Sequence, residues 1–232
     1  MGYTLVYTQV LEFLPYLIKG AWISLQIAIL AFFGGMFFGL ILATIRTFGS
    51  KISNNLVICY VTFFTNTPQL VQIYFLFFAL PEFGILLSPY IAVLLGMTLN
   101  AAAYLCEIQR AGFLSIRQNE LDAAKTLNFT IVQQVKYVIL PHIMKVLFPP
   151  LSNHYIIMTL GTSMAAIFGV EELTGRAFNI NSETFRSVEI FSITALIYIV
   201  ITFIATFLLA VIGRYFFKEK IIYRLNSIFF AL

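Results

Sequence analysis

Asn66, Thr67, Gln69 and Gln72 crowd around Pro68 inside a stretch that is otherwise mostly apolar. A proline within a helix removes a backbone donor and frees a carbonyl one turn back. The neighbouring amides and hydroxyls can satisfy that kink, or they can line a path for a polar solute in a broken helix. Four such groups in one place favour the path. Asn100 is a lone amide in another apolar stretch, able to join two helices or to bind a solute. Thr162, Ser163 and Met164 follow Gly161, where a gate or simply close helix packing fits the small residues. Glu107, two turns beyond Asn100, can pair with Arg110.

Other chemistry is poorly supported. His142 and His154 stand twelve residues apart with no acid or cysteine at ligand spacing, so no metal site is expected. His154 should pack against Asn153 and Tyr155. One histidine and no aspartate within the apolar stretches argue against an intramembrane hydrolase. Cys59 and Cys106 lie in apolar blocks and read as buried free thiols, not a disulfide. A phosphate-binding loop of the form G-x-x-x-x-G-K-[ST] is absent, so this chain is not expected to bind ATP in that way.

The elements that hold these residues are membrane spans. Of the 232 residues, 60% are apolar and 10% charged, and the mean hydropathy is +0.93. Soluble domains carry about 25% charged residues, and a water-soluble fold of this size cannot hide so much apolar surface. Five stretches contain no Asp, Glu, Lys or Arg: 21–45, 56–80, 84–106, 146–170 and 190–213. A helix needs about 20 residues to cross the hydrocarbon core, and barrel strands are shorter and alternate in polarity. The chain therefore reads as an all-α membrane protein of about five transmembrane helices, one transmembrane domain over 1–232. The 25 phenylalanines are mainly lipid-facing bulk. The first sixteen residues lack the features of a cleaved signal peptide.

Basic residues orient the spans. With the N-terminus outside, Arg46, Lys51, Arg110, Arg117, Lys125, Lys136, Lys145, Arg214, Lys218, Lys220 and Arg224 fall inside, against Lys19, Arg176 and Arg186 outside. The C-terminus is then cytoplasmic. Glu171, Glu172, Glu183 and Glu189 gather in the outer segment 171–189. The net charge of +4 comes from basic residues scattered between apolar blocks, which argues against a nucleic-acid partner.

The cytoplasmic segment 107–145 predicts two short helices. Asn119 can cap the first, with Glu120 and Asp122 in its first turn, where the helix dipole favours acids. Asn128 can end it in the left-handed conformation. Thr130 and Gln133 form a capping box for the second, which runs to Leu140 with Pro141 just beyond. Small side chains at Ala123 and Ala124 allow either close docking into a groove or an ordinary interfacial helix.

Asp122-Ala123-Ala124, Asn128 and Val138-Ile139-Leu140-Pro141 resemble the EAA loop of ABC importer membrane subunits, which reads Glu-Ala-Ala, then Gly, then Ile-x-Leu-Pro. Asp122 keeps the charge on a shorter arm and Asn128 keeps the backbone option of glycine. Gly20-Ala21-Trp22-Ile23-Ser24-Leu25-Gln26, Thr67-Pro68-Gln69-Leu70-Val71-Gln72, Ala103 to Arg110 with Ser115-Ile116, and Gly161 to Met164 with Gly169 to Leu173 resemble successive motifs of the polar amino acid permeases (histidine, glutamine and arginine types). Thr65-Asn66 stands where that family often has Arg-Gly.

The resemblance implies a type I ABC importer-like fold with a cytoplasmic coupling helix pair, in the bacterial inner membrane. Glu120, Asp122, Ala123, Ala124, Asn128 and Pro141 would couple to the ATPase. Thr67, Pro68, Gln69, Gln72, Asn100, Thr162, Ser163 and Met164 would line the path of a polar amino acid. Implied partners are two ABC ATPase subunits, which carry the ATP and Mg, a second membrane subunit (identical or homologous) and an extracytoplasmic solute-binding protein. The chain itself would be a transport subunit without a cofactor. A secondary transporter, or a channel subunit without an ATPase, is the alternative. The former needs a coupling acid or base within the spans, and they contain no Asp, Glu, Lys or Arg.

Overall fold

The computed structural model describes residues 4–217; Lys218, Lys220 and Arg224, counted above for orientation, lie outside them. Regular structure among the described residues is helical. A short α1 (Tyr7–Leu11) leads into α2 (Leu14–Phe48), which starts with a proline in its first turn, where no donor is needed. At 35 residues α2 is about 52 Å long, against a hydrocarbon core of about 30 Å. It begins before position 21 and takes in both Lys19 and Arg46, so the charge-free stretch marks only its middle.

The second expected span is not one helix. Ser50 caps α3 (Lys51–Thr65) by accepting from the Ser53 N–H. The chain then breaks, and α4 (Gln69–Tyr74) continues through a π turn and a 3-10 turn to Phe83. The two halves are bent by 102°. Pro68 is the cause: its backbone is extended, and it cannot supply the donor the ladder needs. Among the described residues, four helices are long and apolar enough to cross a membrane, and five if this bent pair counts as one span.

Ser88 caps α5 (Pro89–Leu114), the most buried helix of the bundle. Its partner is α2, and the contact is made by small residues. A Cβ on Gly35 would lie 2.5 Å from Ala101 Cβ, and one on Gly39 would lie 3.1 Å from the Ala102 carbonyl. Such close backbones are how membrane helices gain dispersion energy without a hydrophobic drive. Gly35→Leu should therefore lower stability by about 1–3 kcal/mol through overpacking, read as a lower thermal midpoint of the purified chain.

At one end of the bundle lie α6 (Gln118–Thr126) and α7 (Ile131–Gln134). Two expectations there are corrected. The cap of α6 is Arg117, with no side-chain bond, and Asn119 lies within the first turn; the extended Arg117 backbone lets its carbonyl take the Glu120 N–H. The second helix is not short. It passes from α7 through a π turn at Val135–Ile139 into α8 (Leu140–Gly161), so 131–168 is one long element. The π turn changes the bonding register just before Pro141, which then falls where a proline is tolerated.

At the opposite end, α8 ends in a 3-10 turn (Thr162–Phe168), followed by α9 (Leu173–Thr184) and α10 (Ser187–Phe217). Three apolar clusters follow this layout. Ile27, Ile73, Met97, Leu105 and Met158 fill the middle; Leu17, Leu173, Ile180 and Ile190 fill the α9 end; Ala43, Val57, Val61 and Cys106 fill the α6 end. Cys59 is exposed on α3, not buried as expected, whereas Cys106 is buried.

Candidate functional site

The first site is α6 with its anchors. Its C-terminus closes with both bonds of a Schellman turn: Phe129 N–H to the Ala124 carbonyl and Asn128 N–H to the Lys125 carbonyl. Asn128 takes φ 56° there, as its type and place predicted. Thr130 and Gln133 then form the expected reciprocal box, at 2.8 and 3.3 Å. One residue pattern thus stops one helix and starts the next within three residues.

Of the two alanines, Ala124 packs inward and Ala123 faces out. Asp122 is exposed as well; Gln118 donates to its carboxylate at 2.9 Å and Lys125 lies 3.4 Å away. The bond from Gln118, against some desolvation and with help from Lys125, holds this carboxyl below the ordinary carboxylate range. Asp122 therefore stays charged at and well below neutral pH. Leu127, Ile131 and Val132 stand exposed beside it.

Two links tie α6 to the long helices. Glu120 Oε2 lies 3.5 Å from His142 Nδ1, at the head of α8. The other ring nitrogen lies 3.2 Å from both oxygens of Ser115, at the end of α5. Pro141 sits next to that histidine. Glu107 pairs with Arg46 of α2 and not with Arg110, because α2 and α5 run side by side at this end.

The second site is the break in the bent span. Gln72 Nε2 donates to the Phe64 carbonyl (3.0 Å), the Thr67 carbonyl (3.1 Å) and Thr67 Oγ1 (2.8 Å). Asn100 Nδ2 reaches across from α5 to the Phe64 carbonyl and to Gln72 Oε1, both at 3.1 Å. These bonds satisfy the carbonyls that Pro68 frees. Thr67, Pro68, Gln72 and Asn100 thus form one cluster. Gln69 instead turns toward Gly161, in a contact shared with Met97 and Met164. The hydroxyls of Thr162 and Ser163 donate to the Thr159 and Leu160 carbonyls of their own helix, at 2.7 and 2.8 Å. His154 lies against Tyr104, with ring centroids 5.7 Å apart, and not against its sequence neighbours.

Sequence reasoning missed a third cluster. Glu172 and Glu189 were read only as members of the acid-rich outer segment, yet both are 0% exposed. Glu172 accepts from Ser24 (2.8 Å), Tyr198 (3.0 Å) and the Gly175 N–H (2.9 Å), so it joins α2, α9 and α10. Glu189 accepts from Arg186 (3.1 Å) and from the Val6 N–H (3.0 Å). Lone polar residues at Ser24 and Tyr198 were the available signal, but their partner lies some 150 and 26 positions away. Glu172→Ala would leave the buried Tyr198 hydroxyl and Gly175 N–H without this acceptor. The expected loss is about 1–3 kcal/mol, again measured by thermal unfolding.

With this geometry in place, relatives can be compared. The description "Binding-protein-dependent transport system inner membrane component" belongs to a family model that matches residues 35–218. The glutamine transport system permease protein GlnP of Escherichia coli (strain K12) is 36% identical, over 87% of this chain and 93% of that one. A probable amino-acid ABC transporter permease, PatM of Vibrio harveyi, is 34% identical over 85% and 89%. The L-cystine transport system permease TcyB of Bacillus subtilis (strain 168) is 32% identical over 88% and 87%. A crystal structure of an amino acid ABC transporter with histidines has a TM-score of 0.84 at 29% identity, over 91% of this chain and 99% of that one. An inward facing methionine ABC transporter shares the fold, with a TM-score of 0.69 at 18% identity over 88% and 98%. This chain belongs to the family of binding-protein-dependent transport system inner membrane components.

Proposed function

We propose that this chain, acting as one transmembrane unit, forms the path by which an ATP-driven importer carries a polar amino acid into the cell. The observation that carries the reading is α6: a short, doubly capped helix with Asp122 and Ala123 facing out, joined to α5 and α8 through Glu120, His142 and Ser115. A partner ATPase that binds ATP and Mg grips α6, and its closure moves α6 as a rigid body. Glu120, Asp122, Ala123, Ala124, Asn128 and Pro141 form that coupling surface, on the cytoplasmic side of a chain whose N-terminus is outside. The excess of basic residues at the α6 end supports this orientation.

The substrate class is carried over from the relatives, which are named for glutamine, cystine or amino acids in general. Gln69, Met164 and the Thr67–Pro68–Gln72–Asn100 cluster, with Thr162 and Ser163 behind it, line the path. Two copies, or one copy and a homologue, enclose it; two ATPases sit below and a solute-binding protein docks above. Binding of ATP favours one of two packed states and hydrolysis restores the other.

The test is uptake into proteoliposomes that hold the complex purified with its native partners. Labelled L-glutamine should accumulate only with ATP inside and binding protein outside, and unlabelled polar amino acids should compete with it. Equal accumulation without ATP, or competition by none of the amino acids, would contradict the reading.

A further inference from the structure

The ring of His142 is held between acceptors on both sides. Glu120 Oε2 faces Nδ1 at 3.5 Å. The Ser115 carbonyl and hydroxyl face Nε2 at 3.2 Å each. The hydroxyl cannot serve as a donor to the ring, because it already donates to the Gly112 carbonyl at 2.7 Å. The imidazolium, with an N–H on each nitrogen, can donate to Ser115 on one side and set a positive charge at ion-pair distance from Glu120 on the other. A neutral ring with its proton on Nε2 turns a lone pair toward the Glu120 carboxylate. One with its proton on Nδ1 turns a lone pair toward the Ser115 carbonyl.

We propose that His142 is a positioning residue whose protonation clamps α6 to the ends of α5 and α8. The clamp spans three elements: Glu120 belongs to α6, His142 to α8 and Ser115 to the cap of α5. Buried Ala124 also anchors α6, and a change at the ring changes how stiffly the helix is carried. Among the described residues, Glu120 is the one carboxylate at ion-pair distance from this ring. The other charged groups on the surrounding elements are Asp122 and Lys125 of α6, which pair with each other, Arg117 before α6, Glu107 of α5, which pairs with Arg46, Arg110 of α5, and Lys136 and Lys145 on the helix that carries His142.

Histidine changes charge between about pH 5 and 8. The sign follows directly. The clamp is complete when both ring nitrogens carry a proton and weakens when rising pH removes one. Glu120 and His142 are partly exposed, with side chains 39% and 25% accessible, and solvent screens such pairs to modest strength. The expected change in the local opening of α6 is therefore about threefold.

The inference adds to the proposed coupling role of α6, but its test needs no ATPase, so the two can fail separately. Hydrogen–deuterium exchange is measured on the full chain in lipid nanodiscs at pH 6 and pH 8, corrected for intrinsic exchange. Protection of residues 118–126 should fall about threefold from pH 6 to pH 8 in the native chain. It should be independent of pH in His142→Gln and in Glu120→Gln. Protection of the α5 core serves as the internal reference, and it shows whether either variant still folds. Equal protection of the native chain at both pH values would overturn the proposal. So would an unchanged pH response in a folded variant of either kind.

Discussion

Asp122→Lys is expected to abolish ATP-dependent uptake while the chain still reaches the membrane and assembles its bundle. The residue is exposed at the end of the molecule, and its neighbours Gln118 and Lys125 lie on the same short helix. Nothing in the bundle core depends on it, so the bundle itself should tolerate the change. The effect falls on a partner. Gln118 and Lys125 hold the carboxylate charged, and a partner surface matched to that charge meets a cation in the variant. Like charges brought together at an interface are strongly unfavourable, so uptake should fall at least about a hundredfold. Asp122→Glu, which keeps the charge, should retain most of it. Initial rates of uptake in membrane vesicles, normalised to the amount of chain in the membrane, measure this. Unchanged uptake in Asp122→Lys would remove α6 from the coupling path.

Gln72→Leu should have the largest effect on stability. Interhelical hydrogen bonds in membranes average only about 0.6 kcal/mol each, so losing one ordinary pair would hardly register. Gln72 is different because its two amide hydrogens are shared among three acceptors and its oxygen accepts from Asn100, all at a proline break. Leucine at that position fills the space, yet it leaves the Thr67 carbonyl and the buried Asn100 amide short of partners. Stranded buried groups cost about 1–3 kcal/mol each. The sum points to a loss of about 2–5 kcal/mol, together with loss of the bent geometry and of uptake. Asn100→Leu should lose less, because the Phe64 carbonyl keeps its bond from Gln72. The double variant should fall short of the sum of the two, since the residues share a bond. Thermal unfolding of the four proteins of that cycle gives the answer, and additive losses would contradict a shared network.

Local signals were legible in the sequence. The capping box at Thr130, the left-handed Asn128 and the break at Pro68 all depend on residues a few positions apart, and all appear as read, whereas the apolar stretches mark only the middles of longer or broken elements. Errors arose where the deciding partner was distant or where the backbone changed register. The continuity of α7 with α8 depends on a π turn that no residue type announces. The cap of α6 is a backbone carbonyl at Arg117, which made Asn119 a misleading signal. Glu107 chose Arg46 because the glycine face of α2 packs closely on alanines of α5.

The acid-rich segment 171–189 carries a similar lesson. Carboxylates between two spans suggest a wet surface, and Glu171 and Glu183 are exposed. Glu172 is instead the N-cap of α9 and the hub of three helices. Only the approach of Ser24 and Tyr198, set by packing, removes it from water. The candidate site was legible as a set of residue types but not as two clusters, because which amides meet depends on the 102° bend.

The central claim is that α6 is where a motor in another polypeptide holds this chain. A photo-crosslinking amino acid placed at Ala123, which faces out from α6, tests it most directly. The adduct formed in membranes that carry the complete transporter is identified by mass. The account predicts an adduct joining this chain to the nucleotide-binding subunit. An adduct with the extracytoplasmic solute-binding protein, or no adduct in membranes that transport at full rate, would contradict it.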